Sequence, residues 1–189
     1  ASGVLPGSLK VKRKAKDMFE KTQTISDDFN KIELLVSVSS FAVSEENASG
    51  GVVVTAPTCG SSGVIPGVIT YLRLKNYSED KIIEGLAVAG LIGKIIKENA
   101  TVSGAVGGCQ AEIGAASSMG AALMMHVYSA SNEKIAQAAE MALEHSLGLT
   151  CDPIRGYVQI PCIERNSVFA LKAINAAHQS PTIPINFSI

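Results

Sequence analysis

Two cysteines enclose a segment, Cys151 to Asn166, that holds the side chains best suited to chemistry. It reads C-D-P-I-R-G-Y-V-Q-I-P-C-I-E-R-N, so a loop containing Pro and Gly separates Cys151 from Cys162, and a Glu-Arg-Asn triplet follows. A third cysteine, Cys109, stands earlier in the glycine-rich segment G-A-V-G-G-C-Q-A-E-I-G. Thiolates bind zinc and iron–sulfur clusters. One metal centre held by these three cysteines is therefore one interpretation.

The same cysteines also have a purely structural interpretation, because free cysteine is common in cores as a small apolar residue. The paired C-x-x-C motifs of a zinc ribbon are absent from the sequence. The N-terminal residues show no secretory signal, which favours reduced thiols and a cytoplasmic location over disulfides. Spacing alone leaves both the metal site and the core interpretation open.

A second segment with chemical potential covers residues 51–67 and reads G-V-V-V-T-A-P-T-C-G-S-S-G-V-I-P-G. A short extended piece at residues 52–55 runs into a loop of Pro, Thr, Gly and Ser, and a helix is predicted to follow up to Leu74. Hydroxyls and free backbone N–H groups at a helix start favour a carboxylate or phosphate. The alternative is an ordinary capped helix start. No Gly-Lys-Ser/Thr follows, so this is not a Walker loop.

Composition excludes several other classes. The 16 basic and 17 acidic residues give a net charge of −1, which argues against a nucleic-acid partner. The longest apolar run, near residues 104–128, contains Gln110, Glu112 and several glycines, so it predicts a buried helix and no membrane span. A length of 189 residues suits one domain.

The elements that must position these residues are predicted to be helices. Apolar periodicity and cap signals place them near residues 32–43, up to about Leu74, near 82–99, after Cys109, and near 131–147 and 164–177. Ser78 is the predicted N-cap of the helix at 82–99, and Ser131 is the predicted start of the helix at 131–147. The basic run at residues 10–16 is predicted to be a solvated helix face that begins near Ser8. Gly90 and Gly93 are predicted to lie on the packed face of their helix and to permit close packing.

The predicted fold class is all-α. We expect a compact multi-helical single domain with a Gly/Pro-rich loop and with cysteine-bearing loops at helix ends. Residues 1–50 would form lead-in helices, residues 51–178 the functional core, and residues 179–189 an irregular tail.

Four blocks of the sequence carry a resemblance to a known family: T-A-P-T-C-G-S-S-G-V-I-P at 55–66, G-C-Q-A-E-I-G at 108–114, E-H-S-L-G-L-T-C-D-P at 144–153 and V-Q-I-P-C-I-E-R-N at 158–166. They resemble the signature blocks of the iron–sulfur-dependent L-serine dehydratases, in the α subunit or α domain, in the same order and spacing. The resemblance covers residues 1–178, and its last two blocks are highly specific.

The resemblance implies an all-helical domain with a [4Fe–4S] cluster ligated by Cys109, Cys151 and Cys162. Three ligands for four irons leave one iron open, which can act as a Lewis acid on the hydroxyl of L-serine. The implied reaction is a β-elimination that gives pyruvate and ammonia without pyridoxal phosphate, and its place is amino-acid catabolism and gluconeogenesis. The implied partners are L-serine, a β subunit or β domain that completes the active site, and further copies in a homo- or hetero-oligomer.

The resemblance also assigns the loop from Thr55 to Gly63 to the substrate carboxylate. The substrate-binding residues are then Thr55, Thr58, Cys59, Gly60, Ser61, Ser62, Gly63, Arg165 and Asn166. Candidate catalytic residues are His145, Glu164 and Arg165, and none is singled out as the base for the α-proton. His145 could equally be a helix-end histidine, and the Glu-Arg-Asn triplet could be a helix-capping ion pair.

The sequence departs from the family in three places. Many members carry Asn where Cys59 stands, so Cys59 is expected to be a loop residue and not a fourth cluster ligand. The family's β portion is missing, so an inactive fragment is one interpretation of the isolated chain. The C-terminal residues H-Q-S-P-T-I-P-I-N-F-S-I replace a longer helical continuation. The alternative functions are an L-cysteine desulfidase that uses the same cluster and a non-catalytic helical interaction module.

Overall fold

Helices dominate residues 1–184, the part of the chain that the computed structural model describes. Within it lie seven α-helices: α1 Ala15–Thr22, α2 Asp28–Ala48, α3 Val64–Leu74, α4 Glu79–Asn99, α5 Gly104–Val127, α6 Asn132–Glu144 and α7 Cys162–Gln179. Two 3-10 turns occupy Ile154–Gly156 and Ser180–Thr182. The all-α prediction is confirmed. Part of the predicted irregular tail, residues 185–189, lies outside the described residues.

Helix α5 forms the centre of the structure and packs against α3, α4, α6 and α7. Its C-terminal half is a run of buried Ala, Gly, Ser and Met side chains. These small residues let neighbouring helices approach: a Cβ on Gly120 would lie 3.1 Å from both Ala173 Cβ on α7 and Val68 Cγ2 on α3. The core therefore fills its volume by close helix approach instead of large aromatic side chains.

Helix α4 shows both the value and the limit of the periodicity argument. Gly93 packs against α5 as predicted, because a Cβ there would lie 2.8 Å from the Met119 sulfur. The prediction for Gly90 is wrong, since a Cβ at that position would meet nothing within 4 Å. Ile82 is buried while the adjacent Ile83 is exposed, so α4 carries apolar residues on its packed and its solvent side alike.

The N-terminal residues form a hairpin in place of the predicted helix near Ser8. Val4 and Lys12 make an isolated antiparallel bridge, and the backbone N–H of Leu5 donates to Val11 O at 2.8 Å. The chain reverses through Gly7 and Lys10, which both have positive φ. Leu5 is buried, so this hairpin covers a small second apolar cluster that a helix through the basic run would have left open.

Local cap signals fix several helix starts. The side chains of Asp27, Ser78 and Ser131 accept from backbone N–H groups in the first turns of α2, α4 and α6. Helix α7 begins at Cys162, so this cysteine lies in its first turn. None of the helices in residues 1–184 combines the length and the apolar character that a membrane span needs. The cytoplasmic location stays a prediction.

Candidate functional site

A break in the helical geometry of α5 determines the position of Cys109. Gly108 has φ +78° and ψ 178°, which interrupts the helix immediately before Cys109. A side chain is excluded at this position, because a Cβ would lie 2.6 Å from Leu149 O. Cys109 is buried, at 4% exposure. The close approach of the Leu149 carbonyl oxygen therefore requires a glycine immediately before Cys109.

The segment that leads to Cys151 is fastened to the same break. The backbone N–H of Gln110 donates to Leu149 O at 3.1 Å, and the side-chain oxygen of Gln110 accepts from Gly148 N at 2.9 Å. Gly148 has positive φ and ends the turn after α6. Two hydrogen bonds thus fix the chain just ahead of exposed Cys151.

Arg165, in the first turns of α7, links Cys109 to the Cys151 loop. Its Nη1 donates to Cys109 Sγ at 3.2 Å and to Thr150 O at 3.4 Å. Its Nη1 and Nη2 both donate to the Asp152 carboxylate, and the distance from Nη2 to Oδ2 is 3.1 Å. Such a bidentate pair fixes the guanidinium plane and holds a positive charge against the thiol. The same pair holds the pKa of the Asp152 carboxyl below its ordinary value.

The three thiols lie near enough to influence one another electrostatically. Burial raises the pKa of Cys109, and nearby Glu112 and Cys151 raise it further, while Arg165 lowers it in part. Burial also raises the pKa of Cys162, to about 11, with further contributions from Cys109, Glu112 and Cys151. Burial and neighbouring negative charges thus both favour the protonated thiols, and only Arg165 opposes them.

The thiols do not form a site for a single ion. Within residues 1–184, no three His, Cys, Asp or Glu side chains converge on one metal-ion position. In a cubane each thiolate binds a different iron, which spaces the sulfurs about 6–7 Å apart. A cluster held by Cys109, Cys151 and Cys162 therefore stays a prediction.

Asn166 joins the cysteine end of α7 to the loop at Thr55–Gly63. Its Oδ1 accepts from Gly63 N at 2.9 Å, and its Nδ2 donates to Gly60 O at 2.8 Å and to Cys162 O at 2.9 Å. The side chain is fully buried. Asn166 therefore fixes Cys162 and the loop relative to each other through hydrogen bonds that no aspartate or leucine could reproduce.

The hydroxyls of the loop serve mainly the loop itself. Ser61 and Ser62 are buried, and they donate to Ala56 O at 3.1 Å and to Cys59 O at 2.7 Å. Cys59 is exposed. Among the described residues, neither the Cys59 N–H nor the Gly60 N–H has a hydrogen-bond acceptor. These two backbone donors are thus free groups that the loop can offer to an anion.

Glu112 is the site residue that the sequence patterns did not identify. Its Oε1 accepts a hydrogen bond from Thr58 Oγ1 in the loop. Two glycines make room for the carboxylate: a Cβ on Gly60 would lie 2.6 Å from Oε1, and a Cβ on Gly104 would lie 2.5 Å from Oε2. The sequence did contain a signal for this residue, because Glu112 is the only acidic or basic residue between Gly104 and Met125.

Two predicted catalytic residues lie apart from these contacts. His145 follows the last residue of α6 and lines a cavity of about 290 Å³ together with Lys172, whereas none of the three cysteines lines it. Glu164 forms an exposed ion pair with Lys14 at 2.8 Å. In residues 1–184 neither side chain makes a hydrogen bond to the loop or to a thiol, and their catalytic roles stay predictions.

Comparison with known proteins identifies relatives over almost the whole chain. The family profile described as "Serine dehydratase alpha chain" matches residues 1–181. An L-serine dehydratase of Streptomyces coelicolor is 47% identical over 180 residues, covering 94% of this chain and 40% of the relative. The L-serine dehydratase 1 of Escherichia coli K12 is 45% identical over 183 residues, with the same two coverages. One of Helicobacter pylori is 49% identical over 179 residues, 92% of this chain and 39% of the relative. The chain thus spans about two fifths of the length of the curated relatives it matches.

Proposed function

The chain belongs to the serine dehydratase alpha chain family, and from this premise we propose that it supplies the cluster-bearing part of an L-serine ammonia-lyase. The substrate class comes from the relatives, which are named L-serine dehydratases. The observation that carries the assignment to a site is the junction at Asn166, where one buried side chain binds both the Cys162 backbone and the loop with free N–H groups. Serine would be dehydrated and deaminated to pyruvate and ammonia.

Cys109, Cys151 and Cys162 are the residues that would hold a [4Fe–4S] cluster. Support comes from the donor set: three thiols whose pKa values respond to one another, with no single-ion geometry among the described residues. When bound through three thiolates, the cluster supplies an open iron that acts as a Lewis acid on the substrate hydroxyl. No lysine role is required by this chemistry, so we propose that the reaction proceeds without pyridoxal phosphate.

The loop would bind the substrate carboxylate through the backbone N–H groups of Cys59 and Gly60. An N–H group without an internal acceptor is free to form a charge-assisted hydrogen bond when the carboxylate binds. Thr58 holds the loop in this shape, because its hydroxyl is committed to Glu112. The loop is thereby ordered before the substrate binds, which lowers the ordering cost of binding.

Arg165 would keep Cys109 available as a thiolate. Its guanidinium lies 3.2 Å from Cys109 Sγ and is oriented by Asp152. A positive charge at this distance favours the ionised sulfur and opposes the effect of burial. Because Arg165 also contacts the Thr150 backbone, it holds the Cys151 loop against Cys109. This role makes Arg165 a positioning residue for the metal centre.

The test is anaerobic reconstitution of the chain with iron and sulfide, followed by iron and sulfide analysis and an absorption spectrum. We expect about four irons per chain. Cys109→Ala, Cys151→Ala and Cys162→Ala should each lose most of this iron, while Cys59→Ala serves as the matched control and should retain it. A colourless product from the unmodified chain, or full iron content in Cys162→Ala, would contradict the proposal.

Substrate choice is tested separately on the assembled enzyme, with the portion that this chain lacks present. Pyruvate formation should depend on L-serine and should be much faster than from L-cysteine. Faster turnover of L-cysteine, with release of sulfide, would instead support the desulfidase. Full iron content without turnover of either amino acid would leave the metal centre in place and refute the lyase assignment.

A further inference from the structure

A five-residue segment, Gly51-Val-Val-Val-Thr55, stands out because it contains exposed apolar side chains in an otherwise helical chain. We call residues 51–55 the valine segment. Val52 is 101% exposed and Val54 is 87% exposed, the two largest values among the exposed large hydrophobic residues. Val53 between them is partly buried. This alternation is the pattern of an extended chain with one side toward solvent.

The backbone of the valine segment is also unpartnered. Gly51 N donates to Glu46 O at 3.0 Å and Ala56 N donates to Thr58 O at 3.2 Å, so both flanks are held. Between them, no backbone N–H or C=O of residues 52–55 forms a hydrogen bond with any part of residues 1–184. Backbone donors and acceptors combined with β-branched side chains are the properties of a sheet edge.

The segment borders a cavity of about 540 Å³ against α2 and the start of α3. The cavity is lined by apolar residues such as Val43 and Pro66 and by the charged residues Arg13 and Glu46, with buried Glu45 behind them. Apolar surface mixed with charged side chains is also found at protein–protein interfaces. The groove and the unpaired backbone together offer a partner both side-chain pockets and hydrogen bonds.

We propose that the valine segment is an edge strand that pairs with an extended strand from the portion of the full-length enzyme that this chain lacks. The curated relatives are about two and a half times as long as the matched region, so a large partner exists in them. The segment continues without a break into Thr55, the first residue of the candidate substrate loop. A strand added here would lie beside that loop and would use main-chain hydrogen bonds for affinity. The inference rests on the proposed function for the identity of the partner.

The first test is hydrogen–deuterium exchange of this chain alone and of the assembled enzyme, in which the missing portion is present in the same polypeptide or as a second subunit. The amides of residues 52–55 should exchange at nearly unprotected rates in the chain alone. In the assembled enzyme the alternate amides that face the added strand should slow by about 100-fold or more, because strand pairing protects them. Equal exchange in both samples would overturn the proposal. Protection in the chain alone that grows with concentration, together with a dimeric mass, would assign the strand to a second copy instead.

The second test measures binding between this chain and the missing portion supplied as a separate polypeptide. Val52→Asp and Val54→Asp place a charge on fully exposed positions, so folding should be unaffected while the dissociation constant rises at least about 10-fold. Phe29→Asp is the matched control: it introduces the same charge at an exposed residue in the first turn of α2, and it should leave binding unchanged. Unchanged binding in both valine variants would exclude the valine segment from the interface.

Iron content distinguishes failure of this proposal from failure of the proposed function. The valine variants should incorporate as much iron and sulfide as the unmodified chain, since none of the three cysteines contacts the segment. Normal iron with unchanged binding would refute the edge strand alone. An iron-free unmodified chain whose valine variants bind more weakly would refute the metal centre and leave the interface in place.

Discussion

Helix α5 runs from the candidate site into the core, and its two halves differ in composition. Residues 114–127, the core half, are almost entirely buried and consist of small residues, three methionines, one leucine, His126 and Val127. Residues 104–113, the site half, contain the Gly108 break, the Cys109 thiol and the Glu112 carboxylate. The core half makes its contacts by packing, whereas the site half makes them by hydrogen bonds and charge. Substitutions in the two halves should therefore affect different properties of the protein.

The largest loss of stability is expected in the core half. Leu123→Ala removes a fully buried side chain and leaves a cavity between α4 and α5, which should lower the free energy of unfolding by about 3–4 kcal/mol. Iron incorporation per folded molecule should not change. Chemical denaturation and iron analysis measure the two effects, and loss of iron in a still-folded variant would show that the halves are coupled.

Asn166→Ala should cost about 2–3 kcal/mol, because it leaves Gly63 N–H, Gly60 O and Cys162 O without their partner in a buried place. Unlike the core substitution, it should also raise the KM for serine, since the loop loses its connection to α7. Asn175→Ala, at an exposed position on the same helix, is the control. A pure stability effect with unchanged KM would remove Asn166 from the site.

Replacement of Lys172, on α7, should change the free energy of unfolding by a smaller amount and in the opposite direction. Burial lowers its pKa from 10.5 to about 8, and its Nζ donates to Ser146 Oγ at 2.6 Å without a carboxylate partner in residues 1–184. Lys172→Met should stabilise the protein by about 0.5–1 kcal/mol at pH 7. Ser146 stays satisfied, because it also donates to Ala142 O.

The gain from Lys172→Met should depend on pH in a defined direction. A lysine whose pKa is lowered by folding destabilises the native state fully below about pH 8, and the penalty disappears as pH rises from 8 toward 10.5. Melting curves at pH 7 and pH 10 should thus show a difference only at the lower pH. Lys94→Met, at an exposed position on α4, should show no such trend, and a pH-independent gain at Lys172 would contradict the explanation.

Glu112→Gln should change the free energy of unfolding by less than about 0.5 kcal/mol, the smallest stability effect of these substitutions. Within the site half, it should have the largest effect on thiol reactivity and turnover. Because Glu112 raises the pKa of both Cys109 and Cys162, the substitution should lower both values and speed alkylation of these thiols in metal-free protein at pH 8. In the assembled enzyme, kcat/KM for serine should fall about 10–100-fold, because Thr58 exchanges a carboxylate acceptor for the weaker, neutral amide oxygen.

Exposed Glu98→Gln on α4 is the control for Glu112→Gln. Equal alkylation rates in Glu112→Gln and the unmodified chain would mean that the carboxylate does not act on the thiols. The expected pair of results, faster alkylation and slower turnover with unchanged melting, is one that no core substitution should produce.

Local signals predicted the helices well, because a cap or an apolar stripe is written in neighbouring residues. Ser78 and Ser131 were identified as helix starts on that basis, and both cap their helices. Gly90 was misjudged because α4 has apolar residues on two sides, and periodicity does not tell which side meets α5. The hairpin at Val4 was missed because it depends on burial of Leu5 against a distant cluster.

The candidate site was only partly predictable for a similar reason. The three cysteines and the loop stand in recognisable blocks, so their types and order were visible in the sequence. The position of Glu112 between Gly60 and Gly104 depends on the loop and on helix α5, which meet only in the folded chain. Two of the three hydrogen bonds of Asn166 likewise join residues more than a hundred positions apart. No pattern within one segment could have specified either arrangement.

The contacts of Asn166 have a consequence for the order of events during maturation. All three of its partners are backbone groups, so the relative position of Cys162 and the loop is fixed without any contribution from a metal. In a zinc finger, by contrast, ligand binding and folding are one event. Under the proposed function, we expect this part of the protein to fold before the cofactor binds. A carrier could then deliver a preassembled cofactor, and its replacement after oxidative damage would need no unfolding.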